Sequence, residues 1–380
     1  MKTLRLIGIL CSALAFCVYC AACALADPGP IASLSTNVPI SAGQGWLVWS
    51  VPVAGGWGLN AYHLGQISPL PVAPRPQPFD VSVGTSADGA PVATFSRCLH
   101  TPAISEAGQI EPDSGSGCRI YMLALGSGRE SRLPIPAPHG VSDTTPSMWL
   151  GTVAFARKSP AHREIQQVML WSPHHPHMLT TLRHGAVPSH CPEMRHGCAS
   201  EPLRPQQGSV TALSGNGKVI TYLWLVSGPG IIGEGAWEVR LDDLATGRSS
   251  PAATGSGSEA CTGSMGGIEN THPGAPLANG VGVIFPLLDI YGYCYRKFVS
   301  LLVGLRYSAP NPTSGELPGN VLAIARNGST VYALTVKNPT ASSVPTCSNE
   351  HPCALETITL PPLTKREPKP VPPFQEFFES

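Results

Sequence analysis

Histidine and cysteine crowd one stretch of this chain. His162 is followed by His174, His175 and His177 in SPHHPH, and then by His184, His190 and His196, with Cys191 and Cys198 among them. Imidazole and thiolate are good ligands for zinc and copper, so the run is a candidate metal site with His174, His175 and His177 as its densest part. The spacing follows no standard ligand pattern, and the prolines of SPHHPH predict a loop tip. The expectation is a solvated loop and no cofactor. Glycoside chemistry needs two carboxylates at a set separation. Glu106, Glu111, Asp113, Glu234, Glu238, Asp242, Asp243, Glu259, Glu269 and Asp289 supply candidates, but no spacing singles out a pair. Asp289, in FPLLDIYGYCY, reads as a buried, hydrogen-bonded turn residue. Gly-x-Ser-x-Gly, the strained turn that exposes a hydrolase serine, occurs nowhere. The glycine-rich TGSGSEACTGSMGG from Thr254 lacks the Gly-Lys-Ser/Thr ending of a phosphate loop and reads as a flexible connection. No catalytic residue is assigned.

The remaining cysteines are read through the N-terminus. MKTLRLIGILCSALAFCVYCAACALADPGP places Lys2 and Arg5 before an apolar run and ends on Ala24-Leu25-Ala26. That order predicts a signal peptide over 1–26. The alternatives are a retained membrane anchor, since the run just reaches spanning length, and a lipid anchor at Cys23. Four of the 12 cysteines fall in this leader and eight follow it: Cys98, Cys118, Cys191, Cys198, Cys261, Cys294, Cys347 and Cys353. An even count in an exported chain predicts disulfides, and eight thiols permit about 105 pairings. Separations of 20, 7, 33 and 6 residues favour neighbours, pairing Cys98 with Cys118, Cys191 with Cys198, Cys261 with Cys294, and Cys347 with Cys353. Lys+Arg and Asp+Glu number 24 each, so losing Lys2 and Arg5 gives 22 − 24 = −2. A chain without a basic surplus cannot track a phosphate backbone, which argues against a nucleic-acid partner.

The elements that carry these residues repeat. A turn glycine followed by a β-branched and aromatic run occurs six times, at Gly45, Gly89, Gly151, Gly217, Gly280 and Gly328, in steps of 44, 62, 66, 63 and 48 residues. Tight hairpins need positive φ at their centre, which glycine supplies. The runs are apolar at both alternate sets, as in Val219, Ile220, Tyr222, Leu223, Trp224 and Leu225, so both faces of each strand should be covered. A second apolar strand with a turn and a shorter strand follows each run, including ALETITLPPL from Ala354. Units of about four strands cannot bury both faces alone, but copies stacked in a ring cover one another. The fold class predicted is all-β, a six-bladed β-propeller with four-stranded antiparallel blades over 27–363, followed by a Pro-rich tail over 364–380. A pair of two-sheet sandwiches is the alternative. The 40 prolines and 40 glycines leave few windows long enough for a helix. The seven tryptophans should pack between blades, and Asn327-Gly328-Ser329 reads as a hairpin turn. In the tail, Phe374, Phe377 and Phe378 could cover a groove on the ring, meet a partner or stay disordered.

DGAPVATFSRC, followed after a loop by CRIYMLALGSGRESRL, resembles the repeat of TolB-like and related WD40-like six-bladed propellers. PSMWLGTVAFAR and VRLDDLATGR match it in part. PFDVSVGTSADG with SRC also resembles a group of uncharacterised exported actinobacterial propeller-like proteins. In that resemblance Asp80 recurs, with a turn or strand-end hydrogen bond as its expected task. No activity is implied by it. The function expected is an exported, non-catalytic binding or scaffolding module at the cell envelope or outside the cell, with a protein or glycan partner and no membrane span after leader cleavage. The competing reading is a lyase or hydrolase acting on a glycan or peptide in the central channel.

Overall fold

The computed structural model describes residues 29–100, 115–160, 162–183, 207–227, 234–258, 270–291, 297–306, 309–336 and 346–365. After a short strand β1 (Ala32–Leu34), the chain lays down antiparallel sheets in succession. Blade one is β2 (Ile40–Gly43), β3 (Trp46–Val53), β4 (Gly56–His63) and β5 (Gln66–Pro69); blade two is β6 (Ser82–Thr85), β7 (Pro91–Arg97), β8 (Arg119–Ala124) and β9 (Arg129–Arg132). Blade three is β10 (Ser142–Trp149), β11 (Thr152–Ser159), β12 (His162–Trp171) and β13 (Leu179–Arg183), and blade four is β14 (Gln207–Gly215), β15 (Val219–Ser227), β16 (Glu234–Asp243) and β17 (Ser249–Ser258). Blade five splits its inner strand into β18 (Asn270–Pro273) and β19 (Leu277–Asn279), followed by β20 (Gly282–Tyr291), β21 (Lys297–Arg306) and β22 (Ala309–Glu316). Blade six has β23 (Asn320–Asn327), β24 (Thr330–Val336) and β25 (Cys353–Ile358), and β26 (Thr364–Lys365) returns to pair with β22. The protein is a six-bladed β-propeller of four-stranded antiparallel sheets, with no helix among the described residues.

The sixth blade departs from the sequence expectation. ALETITLPPL was expected to carry its own outer strand, but that strand is β1, which pairs Ala32 with Leu355 and Leu34 with Cys353. Pro361 and Pro362 have no amide hydrogen to give to a ladder, so the edge of β25 is closed by the N-terminal strand. First and last blades are thereby tied.

Alternation along each strand explains how the blades stay dry. In blade three, Val153 and Phe155 face the core shared with blade two, while Ala154 and Ala156 face that shared with blade four. In blade four, Ile220, Tyr222 and Trp224 face blade three, and Val219 and Leu223 face blade five, where Trp237 meets Phe285 edge-on at 6.4 Å. Successive side chains of a strand point to opposite faces, so one apolar run feeds two seams.

The six turn glycines all fall between the first and second strands of their blades, with φ from 61° to 83°. Several hairpins also place a non-glycine residue at positive φ. Leu64 has φ 49° beside Gly65 at 79° and is 86% exposed, so nothing repays its strain. Replacing Leu64 by Asn, which tolerates that conformation, is expected to raise stability by about 1 kcal/mol in urea unfolding; a decrease would contradict this reading of the turn.

A ring of hydrogen bonds runs through all six junctions in one sense. A side-chain oxygen of each blade accepts from a backbone N–H of the next: Ser41 Oγ from Val83 at 2.8 Å, Thr85 Oγ1 from Leu150 at 2.8 Å, and Ser147 Oγ from Gly215 at 3.0 Å. Ser214 Oγ accepts from Ala278 at 3.1 Å, Ser300 Oγ from Val321 at 2.9 Å, and Asn327 Oδ1 from Gly45 at 3.1 Å. The inner strand of a blade has one edge without a strand partner, so amides along it and in the adjoining turn donate across the junction instead. Close approach needs small residues as well: a Cβ on Gly84 would lie 1.9 Å from the carbonyl oxygen of Met148.

Candidate functional site

The inner strands enclose a central cavity of about 130 Å³. Pro39 to Ser41, Gln77, Pro78, Asp80 to Ser82, Thr145 and Pro146, Thr211 to Ser214, Ala275 to Leu277, and Ala323 line it, so all six blades contribute. Gln77, Pro78, Asp80 and Val81 precede their inner strand, whereas Thr145 and Pro146, Thr211 to Ser214 and Ala323 lie within theirs.

Asp80 organises one wall. Its Oδ1 accepts from the Ser96 N–H at 2.9 Å and from Arg75 Nη1 at 3.3 Å, and its Oδ2 accepts from the Thr145 N–H of blade three at 2.8 Å. The role expected from sequence, a strand-end hydrogen bond, is part of a larger hub that joins two blades. Arg75 donates from Nε to the Gln77 carbonyl at 3.0 Å and also donates to the carbonyls of Ser96 and Pro78, with its guanidinium 4.4 Å from the Phe79 ring centroid. Burial draws the Arg75 pKa below its ordinary value, and Asp80 opposes that shift. Arg75 and Asp80 are the charged residues among the described channel lining, and they neutralise each other.

Two threonines on the channel wall escaped the sequence reading. Thr145 interrupts the register of β10, has φ 47° although it is β-branched and precedes a proline, and is 5% exposed. Thr211 sits where the register of β14 shifts between Val210 and Ala212. The hydroxyls of both are buried with no hydrogen-bond partner among the described residues. Each such group costs about 1–3 kcal/mol, and strained backbone of this kind gathers at functional sites. A bulge leaves no mark on composition, so Thr144-Thr145-Pro146 offered only the oddity of a threonine pair before proline.

A second buried pair lies inside blade three. Arg157 Nε and Nη2 reach Asp143 Oδ1 and Oδ2 at 2.7 Å and 2.8 Å, and Nη2 also donates to the Pro136 carbonyl at 2.9 Å. Burial pushes the Asp143 carboxyl above its ordinary range, with Arg157 offsetting part of the shift.

The residues singled out from sequence lie elsewhere. His174, His175 and His177 are exposed in the turn between β12 and β13, on the glycine-turn side of the ring, and do not line the channel. That turn is held by the Trp171 indole N–H donating to the Pro176 carbonyl at 3.0 Å. Among the described residues no three His, Cys, Asp or Glu side chains converge as a metal would require. Glu238 pairs with Arg240, and Asp243 accepts from the N–H groups of Ala245 and Thr246 in its own turn. Glu106, Glu111, Asp113, Glu259, Glu269, His184, His190 and His196 lie outside the described residues, as do the side chains of His162, Glu234 and Asp289. Cys98 is disulfide-bonded to Cys118, and Cys347 to Cys353. Cys191, Cys198, Cys261 and Cys294 lie outside the described residues. The Cys98 bridge borders the channel, where Gly115 packs against both of its sulfurs. Disulfides of this kind belong to extracytoplasmic environments. No helix among the described residues is long and apolar enough to cross a membrane.

Fold and site together define a disulfide-containing six-bladed propeller with a narrow, charge-compensated channel. No family model matches the chain, and no curated protein does. Among solved structures it is similar to a puromycin-hydrolyzing peptidase of Mycobacterium tuberculosis, with 12% identity and TM-score 0.40 over 81% of this chain and 51% of that one. It is also similar to dipeptidyl peptidase 4 of Porphyromonas gingivalis, with 8% identity and TM-score 0.40 over 80% of this chain and 44% of that one. The β-propeller domain of the Trilobed protease from Pyrococcus furiosus is matched at 8% identity and TM-score 0.40, over 85% of this chain and 95% of that domain. The chain spans about half the length of the two peptidases.

Proposed function

We propose that this chain is an exported binding or scaffolding module of the cell envelope or extracellular space, which receives a protein or glycan partner at its channel without transforming it. The observation that carries this reading is the state of the channel's charged groups. Asp80 is the one carboxylate among the described lining residues, and both of its oxygens are engaged by backbone N–H groups and Arg75. General acid–base chemistry needs a group placed and protonated for transfer, and a carboxylate committed to structure serves that poorly. The leader at 1–26 and the disulfides support export. Kinship with TolB-like propellers, read from the blade at Asp80, belongs to the same proposal.

The test uses Ala275→Trp, which narrows the channel at a lining residue outside the ring of inter-blade hydrogen bonds. Neutral glycans and peptides that raise the melting temperature of the wild-type chain should fail to do so for this variant, and mass spectrometry should show them unchanged. Turnover of any of them, lost in Ala275→Trp, would establish the lyase or hydrolase instead.

A further inference from the structure

The lining of the channel restricts what it can hold. Resting on the binding-module reading, we infer that the channel takes one uncharged, hydroxyl-rich ring: a neutral sugar, free or at the end of a glycan. Size sets the first limit. The cavity measures about 130 Å³, less than the roughly 150 Å³ that takes a benzene ring, so a sugar ring, larger than benzene, enters it only in part and no second ring can follow. Charge sets the second. Arg75 and Asp80 neutralise each other at the wall, so an anion or cation entering the channel would lose water without gaining a counter-charge.

Hydrogen bonding sets the third limit. Ser41, Ser82, Ser96, Thr145, Thr211 and Ser214 place six hydroxyls on the lining residues. Ser41 and Ser214 accept a backbone N–H of the next blade, which leaves their O–H to donate. Thr145 and Thr211 bury hydroxyls that find no partner among the described residues. A hydroxyl both donates and accepts, so the matching ligand does the same at several points of a small ring. Both threonine hydroxyls are buried, so binding such a ligand requires a turn about χ1 that brings them to it. Between the hydroxyls the wall is Pro39, Pro78, Pro146, Pro276, Ala212 and Ala323, which offer apolar surface to ring carbons.

The experiment is calorimetric titration of the full chain with methyl α-glucoside, methyl α-mannoside and methyl N-acetyl-β-glucosaminide, against methyl glucuronide and glucosamine as charged counterparts. At least one neutral glycoside is expected to bind. Thr211→Val, which removes a hydroxyl of the same shape, should weaken it about tenfold, the loss of one hydrogen bond, without lowering the melting temperature. Tighter binding of an oligosaccharide ending in the same ring assigns a glycan terminus, and equal binding assigns the free sugar. The inference is overturned if the charged counterparts bind as well, or if Thr211→Val leaves binding unchanged. It also falls, with the module reading intact, if no glycoside binds while a peptide or protein does so in a manner sensitive to Ala275→Trp. Both fall if nothing binds the wild-type chain.

Discussion

Asp80→Ala is expected to cost the chain about 3–5 kcal/mol of stability, the usual loss when one partner of a buried ion pair is removed. The substitution leaves Arg75, whose side chain is 14% exposed, without its counter-charge. It also strips the acceptor from the N–H groups of Ser96 and Thr145. The last of these holds blade three against blade two, so the loss should reach beyond one sheet. Equilibrium urea unfolding measures it, with hydrogen exchange at blades two and three as the spatial readout. Asp80→Asn keeps one acceptor oxygen but turns an amide N–H₂ towards donors, and should fall between the wild type and alanine. A cost under about 1 kcal/mol for Asp80→Ala would show that the pair is no better than an exposed one.

Removal of β1 is the second large effect. A chain that begins at Asn37 loses the outer strand of blade six and with it the only strand that joins the two ends among the described residues. Leu34 leaves the core it shares with Val38, Leu334 and Leu355, and the Ile31 N–H no longer donates to the Leu355 carbonyl at 2.7 Å. One buried leucine and a short ladder amount to roughly 5 kcal/mol, comparable with the whole stability of many domains. The truncated chain should lose its cooperative transition or melt far below the parent. The milder Leu34→Ala should cost about 3 kcal/mol and raise hydrogen exchange first along β25. If the truncated chain melts with the parent, the ring is held shut by its inner strands alone.

These two expectations rest on features of different legibility. The ring itself was readable because two local rules coincide at every copy: a glycine that can take positive φ, and a run apolar on both alternate sets. All six glycines occupy the same turn of successive blades. The side-chain oxygens that lock the junctions left a fainter trace. Ser41, Thr85 and Ser147 each stand four residues before their turn glycine, but Ser214 stands three before, and Ser300 and Asn327 come from other places in the blade. Once blade five splits its inner strand, that register is lost.

Local sequence determined the all-β class, the number of blades and the exposed turn at SPHHPH, because turn chemistry and side-chain alternation act over a few residues. Tertiary structure alone decided which strand closes the circle and that Asp80 bridges two blades. It also decided that Thr145 and Thr211 lie on the channel wall. Those partners are 65 residues apart in one case and over 300 in another, and ring closure, a property of the whole chain, sets their distances.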